Sequence, residues 1–231
     1  MNYTIDLIPN GFGCLYQTKI CALAYCRLHS LNYRHTDFKS IHHWLNVNEC
    51  NNFIGFDKYI KADDETIKLD YNIKIYDPDP DINFNENIMK EIRENYYTNI
   101  KPIVPYTNFL AIHIRRGDIN IEFFRDRWNS DEYYSDLIRK LIVLYPDKKL
   151  VVFSQGTIND FKYLTDEFDI IIDLNKNDLN TFHYMVKADI LVIARSSFSY
   201  VAALLNENII HADVLKNRVW HHRPKKDWVI I

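Results

Sequence analysis

The sequence predicts an α/β protein whose C-terminal half is a Rossmann-type parallel sheet, and three observations carry that prediction. Short runs of strand length rich in β-branched residues recur at Phe109, Lys149, Asp169 and Ile190. Each is followed by a stretch with helical periodicity, and strands separated by helices pair in parallel. Charge, glycine or serine then collects directly after two of those runs, as RRGD at Arg115–Asp118 and SSFS at Ser196–Ser199. Polar groups delivered to the C-terminal ends of parallel strands lie where open α/β sheets bind ligands.

Length and charge bound the rest. A chain of 231 residues fits one large domain or two small ones. The expected division is an N-terminal lobe over residues 1–100 and a second lobe over residues 101–231. A net charge of −3 with both signs mixed gives no global basic field, so no nucleic-acid partner is expected. The start, MNYTIDLIPN, has no charged region leading into an apolar core, and no apolar run approaches the roughly 20 residues that span a bilayer. A soluble, cytoplasmic protein without a membrane span is the expectation. Cys14, Cys21, Cys26 and Cys50 match neither a CxxC pair nor a zinc ribbon, which favours free thiols over metal ligands.

In chain order, Tyr3–Ile8 reads as a first strand, Pro9–Gly13 as a turn and Leu15–His29 as a helix with a wide apolar surface. Gly11 and Gly13 would let backbone N–H groups approach an anion at that helix N-terminus. Asn32–Phe38 reads as a strand, while Ile41–Phe56 shows no clear period. The adjacent His42 and His43 diverge on either a helix or a strand, which argues against a shared metal. The DPDPD run, Asp77–Asp81, reads as an acidic loop stiffened by proline, with a metal-binding DxD site as the sharper alternative. Glu86–Tyr97 reads as a helix and Lys101–Pro105 as a linker.

The second half opens on FLAIHIRRGD, a buried strand ending in charge. Arg115 and Arg116 offer planar forks of donors suited to a diphosphate, Gly117 permits a sharp turn, and Asp118 is placed to hold one arginine. A surface salt-bridge pair or an exposed RGD loop are the plainer alternatives. Ser130 is a candidate cap for a helix to Tyr145, followed by the strand Lys149–Ser154 and the turn Gln155–Thr157. Asp169–Asp173 is a strand whose terminal acid either accepts from a nucleobase or ribose or caps a turn. A helix at Asn180–Ala188, a strand at Ile190–Ala194 and a helix at Ser197–Leu205 complete the pattern. Ser196, Ser197 and Ser199 sit where a strand feeds a helix N-terminus, with Arg195 beside them.

His113, Arg115, Arg116, Gly117 and Asp118 together resemble the HxRRGD-type motif of the fucosyltransferases that use GDP-fucose, the α-1,2-, α-1,6- and protein O-fucosyltransferase group. FSQGT at Phe153–Thr157 resembles that group's FSDD-like turn in its serine, Ser154, and not in its acids. The stretch from His183 to Glu207 resembles the second donor motif through Ser196, Ser197, Phe198 and Ser199, and Gly11, Gly13 and Gln17 loosely resemble a GGxGNQxxQ-like loop.

The resemblance implies a GT-B-like, two-lobed fold, with a reduced N-terminal α/β lobe on the acceptor side over residues 1–100 and a Rossmann-like nucleotide-sugar-binding lobe over residues 101–231. It further implies inverting transfer of a sugar, most simply L-fucose from GDP-fucose, to a glycan hydroxyl without a metal or other cofactor. Arg115 would contact the β-phosphate and Arg116 would support the same pocket. Glu122, Asp118 and Asp126 are the candidate bases, with Glu122 favoured by its spacing from His113. Another nucleotide sugar, or a non-enzymatic nucleotide-binding module, is the alternative.

Overall fold

The computed structural model describes residues 1–42, 45–70, 79–119, 122, 125–212 and 223–231. Two compact units are present, Met1–Pro102 with Val214–Asp227, and Ile103–Asp213 with Trp228–Ile231.

The first unit is built on a three-stranded parallel sheet in the order β2-β1-β3, from β1 (Asn2–Ile5), β2 (Asn32–Tyr33) and β3 (Ile67–Leu69). Helix α1 (Phe12–Leu28) is buried on nearly every side, which is why its apolar residues show no single stripe. Phe12 stacks edge-on against Phe38 and Phe53, and Tyr16 against Phe56. Among the described residues it also holds helices α2 (Val47–Ile54), α3 (Pro80–Asn83) and α4 (Glu86–Tyr96). Gly55 ends α2 at φ +71°, and a Cβ there would lie 1.8 Å from the Asn95 carbonyl oxygen, so α2 and α4 approach through a position only glycine fills.

Several boundaries differ from expectation. The first strand stops at Ile5, where its pairing with β3 ends. The expected strand over Asn32–Phe38 shortens to two residues, because beyond Tyr33 the chain makes only an isolated bridge from His35 to Lys61. Helix α2 arises in the stretch that shows no period. Its Asn46 cap accepts from Asn48 and Glu49 N–H, and Cys50, Phe53 and Ile54 bury one face at i, i+3, i+4 spacing. Asp79 caps α3 by accepting from Asp81 N–H, while Asp77, Pro78 and His43 lie outside the described residues. All four cysteines are free thiols, Cys26 and Cys50 buried and Cys14 and Cys21 half-buried.

The second unit is a six-stranded, wholly parallel sheet in the order β6-β5-β4-β7-β8-β9. Its strands are β4 (Phe109–His113), β5 (Lys149–Ser154), β6 (Ile171–Leu174), β7 (Ile190–Val192), β8 (Ile209–Ala212) and β9 (Val229–Ile230). Between them run α5 (Asp131–Leu144), α6 (Lys162–Thr165), α7 (Asp178–Lys187) and α8 (Ser197–Leu205). Every residue of β4 is buried, as expected for a central strand covered on both faces. Leu110, Ile112 and Ile114 form one core with Leu137, Ile138 and Leu141 of α5. Each such side chain contributes about 1.5–3 kcal/mol through its removal from water.

Ser130 caps α5 as expected, accepting from Tyr133 N–H, and α8 spans the expected residues. Strands β8 and β9 were not anticipated. β9 is only two residues long, and it is held by pairing to His211 and Ala212 beside a buried Trp228 that meets the Tyr200 ring at 5.5 Å. Among the described residues no helix is long and apolar enough to cross a membrane.

Candidate functional site

The chain passes from β4 outward through β5 to β6, then returns to place β7 on the other side of β4. That reversal is a topological switch point, where the loops leaving two adjacent strands part and open a crevice. The loop after β4 carries Arg115, and the loop after β7 carries Ser196.

Arg115 Nη1 donates to Ser196 Oγ at 2.7 Å, and its Nη2 donates to Asp118 at 2.6 Å. Gly117, at φ +87°, makes the turn that folds Asp118 back onto the guanidinium. Arg115 Nε is buried and has no hydrogen-bond partner among the described residues. Ser196 is also the N-cap of α8, accepting from Phe198 N–H at 3.3 Å. One hydroxyl therefore joins the arginine to the positive end of a helix.

Arg116 does something else. It donates to the Arg115 carbonyl at 3.1 Å, to the Asn129 carbonyl at 3.0 Å and to Asp131 at 3.0 Å. Its guanidinium lies over the rings of Trp128, at 5.2 Å, and Tyr134, at 5.4 Å. These contacts brace the Arg115 backbone from behind.

Two serines expected at the ligand are committed to the backbone instead. Ser199 Oγ is fully buried, accepts from Ala194 N–H and donates to the Ala194 carbonyl, so it holds the turn between β7 and α8. Ser154 Oγ donates to the Ile114 carbonyl at 2.7 Å and ties the end of β5 to the end of β4. Arg195, Ser197 and Phe198 are half-buried at the start of α8, and Glu122 is exposed. The Asp126 side chain lies outside the described residues. Gly11 is the N-cap of α1 with φ −64°, and Gly13 lies within that helix, both in the first unit.

Strand register aligns His113, Phe153 and Asp173 in one row near the C-terminal edge of the sheet. Burial first, and the neighbouring Arg115 charge second, lower the His113 pKa to about 3, so its imidazole is neutral at ordinary pH. His113 Nδ1 is buried without a hydrogen-bond partner among the described residues, and its ring lies 5.9 Å from that of Phe198. Asp173 lies within β6 rather than at its end. It accepts from Tyr106 OH at 2.5 Å through Oδ2, while its buried Oδ1 has no such partner among the described residues. Tyr106 was not anticipated, since a bond spanning 67 residues leaves no local trace.

The rim is stitched further. Asn175, at φ +53°, donates to the Gly156 carbonyl at 2.6 Å and accepts from Gly156 N–H at 3.1 Å, joining the loops after β5 and β6. Among the described residues no group of His, Cys, Asp and Glu is placed to hold a metal ion.

No family model matches the chain, and neither does any curated protein. Among solved structures it is similar to the heptosyltransferase TibC in complex with ADP-D-beta-D-heptose, with a TM-score of 0.51 and 12% identity over 100% of this chain and 61% of that one. It is similar as well to the glycosyltransferase TibC from enterotoxigenic E. coli H10407, with a TM-score of 0.51 and 11% identity over 99% of this chain and 63% of that one. A weaker likeness, with a TM-score of 0.45 and 10% identity over 90% of this chain and 95% of the other, is to POFUT1 in complex with GDP. The chain thus spans less than two thirds of the length of the TibC structures. At these identities the likeness is one of architecture, and the fold is GT-B-like.

Proposed function

We propose that the protein is an inverting, metal-independent glycosyltransferase that moves a sugar, L-fucose from GDP-fucose as the first choice, to a hydroxyl of a glycan acceptor. The observation that carries this reading is the bond from Arg115 to Ser196 across the switch point of the sheet. It joins a permanent cation to a helix N-terminus, the combination that suits a diphosphate. The GT-B-like fold supports the same reading.

In the reaction the bond between the anomeric carbon and the diphosphate oxygen breaks while the acceptor oxygen attacks from the opposite face. Negative charge grows on the leaving diphosphate, where Arg115 and the amide end of α8 stabilise it, with Arg195 and Ser197 alongside. Donors fixed in place before the charge develops lower the barrier more than any other single effect in many enzymes. The guanidinium takes the part a divalent cation plays elsewhere. The acceptor proton passes to a carboxylate. Glu122 is the first candidate by its spacing from His113, with Asp118 and Asp126 the others. His113 and Asp173 are assigned to the nucleoside.

Turnover of GDP-fucose in excess EDTA, together with calorimetric titration of GDP, tests the proposal. Binding of GDP and retained turnover are expected. Absence of nucleoside diphosphate binding overturns it. The second reading is a transferase for another nucleotide sugar, favoured by Gln155, which stands where the fucosyltransferase-like turn carries an acid. TibC is itself in complex with an ADP sugar, and titration of UDP and ADP beside GDP separates the two readings.

A further inference from the structure

We propose that Tyr106 is a positioning residue for donor specificity: its phenol holds one oxygen of the Asp173 carboxylate so that the other is presented to N–H donors on the edge of a nucleobase. The inference rests on the donor-site reading above and adds to it the residue that fixes how the base is read.

Three rings hold Tyr106 independently of its hydrogen bond. Its ring lies 5.5 Å from Phe109, 6.0 Å from Phe153 and 5.8 Å from Tyr184. From there the hydroxyl donates to Asp173 Oδ2 at 2.5 Å. Burial first, and that bond second, push the Tyr106 pKa up, so the phenol remains a donor.

A carboxylate on its own turns easily about its last torsion, which is broad and two-fold. The phenol removes that freedom and leaves Oδ1 as the oxygen to be filled. Oδ1 is buried, in a side chain only 3% exposed, and has no hydrogen-bond partner among the described residues. The Lys176 ammonium is 3.9 Å away, beyond hydrogen-bond length, on a side chain that is 62% exposed. Unfilled buried acceptors are rare enough that each calls for a partner. An ionised carboxylate only accepts, so it selects a base that turns N–H groups toward it. Guanine carries two adjacent on one edge, whereas uracil and adenine offer one beside an acceptor.

Titration calorimetry with GDP, UDP and ADP on the wild type, Tyr106→Phe, Asp173→Asn and the double variant tests this. Phenylalanine keeps the ring packing, so the melting curve is expected to stay in place. GDP affinity is expected to fall about tenfold while UDP and ADP change little, a loss on the scale of one hydrogen bond to a charged group. In the Asp173→Asn background the same substitution is expected to have no further effect, the signature of two coupled residues. Equal weakening of all three nucleotides, or unaltered GDP binding and preference in Tyr106→Phe, overturns the positioning role alone. If the wild type binds none of the three, the donor-site reading fails and this inference falls with it.

Discussion

Arg115 reaches Ser196 at 2.7 Å although the two lie 81 residues apart in the chain. Each stands in the loop after a central strand, and the strands are neighbours only because the sheet reverses its winding between β4 and β7. That junction and the buried groups around it govern how the protein responds to substitution and to acid.

Replacing Arg115 by alanine removes the forked donor while leaving the core intact, since its side chain is 23% exposed and outside the apolar cluster. GDP affinity is expected to fall by more than about tenfold, the scale of one lost charge-assisted bond or more. Arg115→Lys is expected to recover part of it, because an ammonium keeps the charge and loses the fork. Calorimetry with a parallel melting curve measures both, and alanine binding GDP as the wild type does would remove the arginine from the site.

Ser196→Ala takes away an N-cap and the acceptor for Arg115 in one step. Loss of a serine cap costs about 1 kcal/mol, visible in urea unfolding. Donor affinity is expected to drop as well, whereas Ser199→Ala is expected to affect stability more than binding, because its hydroxyl bonds only backbone groups of its own turn.

Acid is expected to destabilise the protein in a defined window. His113 has its pKa lowered to about 3 by burial and then by Arg115, and His35 to about 3 by burial and then by Lys19. Above about pH 6.5 both histidines are neutral in either state and add no slope. Below it the unfolded chain takes up protons that the folded protein refuses, so stability falls as pH drops toward 3. Urea midpoints at pH 7 and pH 5 test this, and His113→Gln is expected to lessen the difference between them. An unchanged midpoint would place these imidazoles in water.

Gly117→Ala forces an L residue to φ +87° and brings its Cβ to 2.2 Å from Gln155 Oε1. The contact is with the end of a flexible side chain and can relax; the backbone conformation cannot. A loss of roughly 1–3 kcal/mol is expected. Adding Gln155→Ala is expected to return only a small part of it, as read by melting of the single and double variants.

Much of the second unit was legible in the chain. Lys149–Ser154 and Ser197–Leu205 have the expected bounds because a buried apolar run, Leu150–Phe153, and a serine cap both write themselves locally. Strands β8 and β9 were missed, since a strand of two to four residues at the sheet margin acquires its identity from its partner. In the first unit, α2 escaped notice because only Cys50, Phe53 and Ile54 of its eight residues face the core. Within the site, the sequence grouped the arginines and serines together without separating those at the crevice from those behind it. Arg115 bonds Ser196 and Asp118 whereas Arg116 bonds the Arg115 and Asn129 carbonyls and Asp131, and Ser196 receives the arginine whereas Ser199 bonds Ala194.

The sequence by itself determined the parallel α/β class, the two strand ends that carry charge and hydroxyl, and the glycine at which the chain turns sharply. Those are properties of short windows, governed by periodicity, capping and backbone sterics. Tertiary structure alone decided that the two strand ends are neighbours, that one arginine faces the serine while the next grips its carbonyl, and that a distant phenol orients Asp173. Strand order and side-chain partners across tens of residues depend on how the whole sheet is wound, and no local stretch encodes them.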